Sequence, residues 1–141
     1  KKKIKQEWED SGSYGLHIHC PEASTPKDGP SAGITITTAI ISRLTNTPVN
    51  NTIAMTGEID LNGKVHKIGG LEYKIDGAKK AGVKIVLIPQ DNLDDYHIIL
   101  DKLTQEDKDI LLDDFQVIPV STINDVIKYS LIDNNITFLK D

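Results

Sequence analysis

Cysteine is nearly absent from this chain. Cys20 stands alone, so no internal disulfide can form and nothing points to an oxidising compartment. Long hydrophobic runs are missing as well. The longest are five or six residues, as in the stretch around Ile85 to Pro89, far short of a membrane span. The opening KKKIKQEWED has charge but none of the apolar stretch a signal peptide needs. Basic residues are not in excess either. The net charge of −5 argues against nucleic acid as the main partner, because binding phosphates needs a basic face. The one basic cluster, Lys1 to Lys5, reads as a solvated helix end or frayed terminus. There is no internal repeat and no low-complexity tract. What remains is a chain of 141 residues, 38% hydrophobic and 26% charged. That is one domain with a modest core and an ordinary soluble surface.

Periodicity and turn chemistry divide the chain into elements. Residues 2–9 read as the end of a helix, broken at Ser11-Gly12-Ser13. Leu16 to Cys20 alternates with period two and predicts a strand. Residues 21–30, with three prolines and a glycine, are irregular. A helix is expected from Pro30 to Leu44, with proline preorganised at its first position and Ile36, Ile40 and Leu44 as its apolar stripe. Gly33 and Ala39 would be its small packing positions. Thr52 to Met55 reads as a strand. Glu58–Leu61 and Lys64–Ile68 flank Asn62-Gly63, the signal of a type I′ hairpin with positive φ at both central residues. A helix from Leu71 to Ala81 is stopped by Gly82. Val83 to Ile88 is a buried strand. Two short helices (92–100 and 106–112), a strand from Phe115 to Val120 and a helix capped by Ser121 or Thr122 follow. Residues 133–141 read as a tail after a domain spanning 1–132. The mixture predicts an α+β, two-layer α/β domain without the regular alternation of a doubly wound sheet.

Gly29-Pro30-Ser31-Ala32-Gly33 is the chemical centre. A serine at a helix start meets unpaired backbone N–H groups and the positive end of the helix dipole. These can stabilise the oxyanion formed when a serine attacks a carbonyl. Glycines on both sides would let a substrate backbone approach. Simple helix capping accounts for the same five residues. The pattern also fits the nucleophile elbow G-x-S-x-G, but that motif requires a strand directly before the serine and an acid and a histidine after it. Here the preceding segment is proline-rich, and His66 and His97 fall in a hairpin and a polar helix. No glycine-rich stretch ends in Lys-Ser or Lys-Thr, so no phosphate-binding loop is present.

A nucleophilic serine needs a base, and a lysine serves when burial lowers its pKa. On the predicted helix after Leu71, Leu71, Ile75, Ala78 and Gly82 form one stripe. Glu72, Asp76, Lys79 and Lys80 form the charged side. Lys74 lies about 60° from Leu71 at the edge of the apolar stripe. Its neighbours three and four positions away are Gly70, Leu71, Gly77 and Ala78, none charged. Asp76 and Lys80 are spaced for an ordinary surface pair. Helical geometry alone equally allows a lysine that snorkels from the core edge to water.

The residues that decide between these readings are His17-Ile18-His19-Cys20-Pro21-Glu22, then Thr25 to Gly33 (TPKDGPSAG), Met55-Thr56-Gly57-Glu58-Ile59, and Ile68-Gly69-Gly70-Leu71 with Lys74. In order and spacing, from about residue 15 to 130, they resemble the active-site signature of Lon proteases. The resemblance implies a serine endopeptidase of unfolded or damaged proteins, with Ser31 as nucleophile and Lys74 as its partner. It implies support of the lysine amine by Thr56, a loop beside the nucleophile formed by Lys27, Asp28 and Gly29, and the α+β fold of the Lon proteolytic domain, here truncated at its N-terminus. It further implies a homo-hexameric ring and fusion to an ATPase module absent from this chain. That module would carry the ATP and Mg, so no cofactor is expected in this domain. A compartment in bacterial cytosol or the mitochondrial matrix is implied, with no membrane.

Two departures stand out. Ala23-Ser24 replaces the family's usual Gly-Ala, and Glu72-Tyr73 replaces its Lys-Glu. Both lie off the apolar stripe. His17 and His19 form an H-x-H pair, but no third ligand has suitable spacing for zinc. They are expected to support a substrate groove or fill space. Cys20 is expected to pack. The alternative to an enzyme is a non-catalytic assembly module that keeps the fold but misaligns the pair. For a working pair, Ser31 Oγ should lie within roughly 3 Å of Lys74 Nζ.

Overall fold

A computed structural model describes residues 6, 9, 10, 12, 17–19 and 29–132. Helix α1 (Gly33–Thr45) leads into strand β1 (Ile53–Met55) and the short hairpin strands β2 (Glu58–Ile59) and β3 (Val65–His66). Helix α2 (Leu71–Lys80) and strand β4 (Ile85–Pro89) follow. A 3-10 turn at Gln90–Asn92, α3 (Leu93–Asp101), α4 (Gln105–Leu112), β5 (Gln116–Val120) and α5 (Ile123–Ser130) complete the order. The domain is α+β: a parallel sheet β1-β4-β5 beside an antiparallel hairpin β2-β3.

Strand β4 sits in the middle because its sequence, IVLIP, is apolar on both faces. That is the pattern of a parallel strand covered on each side. Successive side chains alternate between two cores. Leu87 joins Ile34, Ile53, Val65, Val120 and Val126 under α1 and α5. Val86 and Ile88 join Leu71, Ile75 and Phe115 under α2, with Tyr96, Ile99 and Leu111 of α3 and α4 packed alongside. Helix α2 buries Leu71, Ile75 and Ala78, the stripe its spacing predicts, and leaves Gly82 exposed. Asp76 and Lys80 form the surface pair at 2.7 Å. The cap of α5 is Thr122: its hydroxyl accepts the Asp125 N–H while the Asp125 carboxylate accepts the Thr122 N–H, a reciprocal box that closes two orphan donors.

Four expectations are corrected. Helix α1 begins at Gly33, not Pro30. The Ser31 carbonyl, which would have accepted the next helical bond, is taken by the Gly57 N–H at 2.8 Å. Pro30 instead closes a turn by accepting the Gly33 N–H at 2.9 Å. The buried face of α1 is Ile34 and Thr38, with Ile41 packed alongside. Ile36, Ile40 and Leu44 are half-buried and Ala39 is exposed. The Ile34 N–H bond to the Gly57 carbonyl at 3.1 Å sets that rotation. The Thr38 hydroxyl is satisfied inside the helix by the Ile34 carbonyl at 2.7 Å.

The hairpin is not a type I′ turn. Positive φ occurs at Gly63 (81°) and not at Asn62. The Asp60 carboxylate accepts the N–H groups of Asn62 and Lys64, and the Asp60 carbonyl accepts that of Gly63. This produces the longer loop with a left-handed glycine after the turn. Residues 17–19 pair with no strand among the described residues. Alternation supplies a strand's pattern, but a strand exists only through a neighbouring ladder. Of the early helix, Gln6, Glu9 and Asp10 are helical. The rest of that helix, most of 21–30 and the 133–141 tail lie outside the described residues.

Candidate active site

The C-terminal end of β1 runs into Thr56 and Gly57, and this short segment holds the serine. The Ser31 carbonyl accepts two bonds, from the Gly57 N–H at 2.8 Å and the Thr56 hydroxyl at 3.3 Å. Gly57 also accepts the Ile34 N–H, so the residues on either side of Ala32 and Gly33 are fastened to the same peptide. Thr56 is itself tied to the central strand through its N–H and the Leu87 carbonyl at 3.1 Å. The position of Ser31 is thereby referred to the core of the sheet.

Gly33 is a glycine because another backbone segment meets it, and Gly57 because core side chains close over it. A Cβ at Gly33 would stand 3.0 Å from both Ile59 N and Ile59 Cγ2 and 3.2 Å from the Gly57 carbonyl oxygen. One at Gly57 would stand 2.8 Å from Val65 Cγ1. The close approach at Gly33 is therefore made by the hairpin, where the sequence suggested a substrate. Gly29 differs: its surroundings are open, and its φ of 77° is what favours glycine.

Lys74 reaches the serine from the other side. It sits in the first turns of α2, half-buried at the edge of the Leu71–Ile75–Ala78 stripe. Its Nζ donates to Ser31 Oγ at 3.2 Å, across 43 residues of sequence. Both side chains line one cleft of about 310 Å³ with Thr35, Ala54, Met55 and Val86 among its walls, and among the described residues no carboxylate lines it. Thr56 lines the same cleft, but its hydroxyl bonds the Ser31 carbonyl and not the Lys74 amine. The N–H groups of Ser31 and Ala32 donate to no described residue.

The other residues singled out by sequence are placed as follows. Lys27 and Asp28 lie outside the described residues, as does Cys20. His17 and His19 are exposed, with ring centroids 6.4 Å apart. Among the described residues no group of three His, Cys, Asp or Glu side chains is gathered to hold a metal ion. None of the described helices is long and apolar enough to cross a membrane.

With this arrangement in view, the match to known proteins is direct. A model of the Lon protease (S16) C-terminal proteolytic domain matches residues 1–133. The chain belongs to this family. A Lon protease of Campylobacter jejuni is 48% identical over 120 residues, 85% of this chain and 14% of that protein. A Lon protease of Methanosphaera stadtmanae is 47% identical over 116 residues, 82% of this chain and 13% of that protein. A mitochondrial Lon protease homolog of Candida glabrata is 56% identical over 81 residues, 57% of this chain and 8% of that protein. The chain thus spans about a seventh of the length of its bacterial relatives.

Sequence reasoning on this Lon domain missed two contributors to the site. Gly57 was visible only as a letter of MTGE, because its task is a pair of backbone bonds. Asn92 carried no signal beyond its place after a buried strand, yet it is fully buried and bonded to the segment that leads into α2.

Proposed function

We propose that this domain is the peptide-bond-hydrolysing part of an ATP-dependent serine protease, with Ser31 as nucleophile and Lys74 as general base. The observation that carries the reading is the 3.2 Å contact between Lys74 Nζ and Ser31 Oγ. It is a nucleophile and a base within hydrogen-bond reach, brought together from two elements that share no local reason to meet. In the unprotonated form the amine accepts the hydroxyl proton as Oγ attacks the scissile carbonyl. The N–H groups of Ser31 and Ala32, which donate to no described residue, serve the developing oxyanion at the start of α1, where preorganised donors lower the barrier most. The ammonium then donates its proton to the leaving amine, freeing the first product. Water, deprotonated by the same amine, attacks the acyl-enzyme; the Oγ–acyl bond breaks, the acid is released, and the ammonium returns its proton to Ser31 Oγ.

The substrates are unfolded or damaged polypeptides, supplied by an ATPase module that binds ATP and Mg, in a homo-hexamer working in bacterial cytosol or a mitochondrial matrix. The resemblance to Lon proteases supports these parts of the reading. The test is to introduce Ser31→Ala and Lys74→Ala separately into the intact protein and follow degradation of an unfolded protein. Each is expected to abolish cleavage while leaving assembly unchanged. Degradation at the parental rate by either variant defeats the proposal.

A further inference from the structure

Helix α2 carries Lys74 but has little of its own to fix where it starts. Its N-cap, Gly70, is in the left-handed region (φ 66°), and no side chain caps the helix. Gly69 and Gly70 are exposed, and a Cβ at Gly69 would meet nothing within 4 Å. The stretch between the hairpin and Lys74 is therefore held on either side of the glycine pair, by Ile68 upstream and by Leu71, buried in the same core, at the first position of the helix. At Ile68 the Asn92 side chain acts as a strand would. Its Oδ1 accepts the Ile68 N–H at 2.9 Å and its Nδ2 donates to the Ile68 carbonyl at 3.0 Å. The second hydrogen of Nδ2 goes to Asp95 Oδ2 at 2.7 Å, and Asp95 in turn holds Lys67 Nζ at 2.9–3.0 Å. Asn92 is 0% exposed, and three of its four amide bonding positions serve this bracket.

We propose that Asn92, braced by Asp95, is a positioning residue that sets the distance between Lys74 and Ser31; this rests on the Ser-Lys reading above. Ile68 and Leu71 flank the glycine pair in one core cluster, so a shift at Ile68 is passed by packing to the first turn of α2, which carries Lys74. A proton transfer needs the two heavy atoms near 3 Å, and a misplacement of about 1 Å costs on the order of a hundredfold in rate. Neither Asn92 nor Asp95 lines the cleft that holds Ser31 and Lys74, so the loss is expected to fall on the chemical step.

The experiment compares Asn92→Ala, Asn92→Asp and Asp95→Asn in the intact protein with a fluorogenic peptide, at a temperature where each is folded by circular dichroism. Asn92→Ala is expected to lower kcat at least tenfold with KM within about twofold. Asn92→Asp keeps the acceptor for the Ile68 N–H and is expected to recover part of that loss. Asp95→Asn, at a half-exposed site that leaves the core intact, is expected to lower kcat about threefold with KM unchanged. Parental kcat in a folded Asn92→Ala overturns the proposal. If Asn92→Ala does not fold, parental kcat in Asp95→Asn overturns it. Cleavage that survives Ser31→Ala refutes the Ser-Lys reading instead, a result the Asn92 series does not produce.

Discussion

Replacing Gly33 with alanine sets two effects against each other. In a helix, alanine is better than glycine by up to about 1 kcal/mol, and less at the first position than inside. The added methyl would meet Ile59 N at 3.0 Å, Ile59 Cγ2 at 3.0 Å and the Gly57 carbonyl oxygen at 3.2 Å. Two of these three are backbone atoms in the segment that bonds the Ser31 carbonyl, so neither can rotate aside. Overpacking of this kind costs about 1–3 kcal/mol. The steric cost wins, with a net loss of about 1–2 kcal/mol. For a domain between the small and mid-sized classes, that lowers the thermal midpoint by roughly 3–10 °C. The shift also disturbs the Ser31–Lys74 contact, so phosphonylation of Ser31 by a fluorophosphonate probe is expected to slow. The control is Gly77→Ala in α2, where a Cβ would meet nothing within 4 Å and the site is exposed. There propensity acts alone and the midpoint should rise, by up to about 1 kcal/mol of added stability. Thermal unfolding by circular dichroism measures both. If Gly33→Ala is as stable as the parent, or gains as Gly77→Ala does, the close approach is not what places glycine at 33.

Three further outcomes follow from the packing and the charges. Leu87→Ala, in the fully buried centre of β4, should cost about 2–5 kcal/mol in denaturant unfolding; a loss under 1 kcal/mol would mean that β4 is not the centre of the core. Thr122→Ala removes the α5 cap and should cost about 0.5–2 kcal/mol, against almost no effect for Ser121→Ala. Bonds from His66 first and the Lys64 N–H next hold the Asp60 carboxyl below its ordinary 3.8. Lys67 first and Asn92 next do the same for Asp95. A carboxyl depressed in the folded state stabilises above its unfolded pKa, and that stability is lost as pH falls through the folded value. Asp60→Asn and Asp95→Asn should therefore each flatten the fall of stability below about pH 4, and unchanged acid unfolding curves would contradict those contacts.

Features that depend on a few neighbouring residues were legible in the chain itself. The run IVLIP announced a buried strand because nothing polar interrupts it. The Leu71–Ile75–Ala78 stripe announced the buried face of α2, and Ser121-Thr122 announced a cap, which the structure assigns to Thr122. The resemblance in TPKDGPSAG, MTGE and GGL-x-x-K singled out Ser31 and Lys74 before any geometry was known. Tertiary contact decided the rest. Local preference put the helix start at Pro30, but Gly57 removes the carbonyl that start requires. Asn62-Gly63 favours a tight turn, but the Asp60 carboxylate, accepting the N–H groups of Asn62 and Lys64, holds a longer loop.

Ser31, taken by sequence alone, was equally a capping residue, and Lys74 equally a surface lysine at the edge of an apolar stripe. What composition and periodicity determined was one α+β domain with each of the two on its own element. Only the packed sheet decided that 43 residues of chain close to 3.2 Å. It does so because β1, through Thr56 and Gly57, holds one residue, while α2 and the bracket at Ile68 hold the other. Both are referred to the same central strand, and no local stretch of sequence contains that strand's two faces at once.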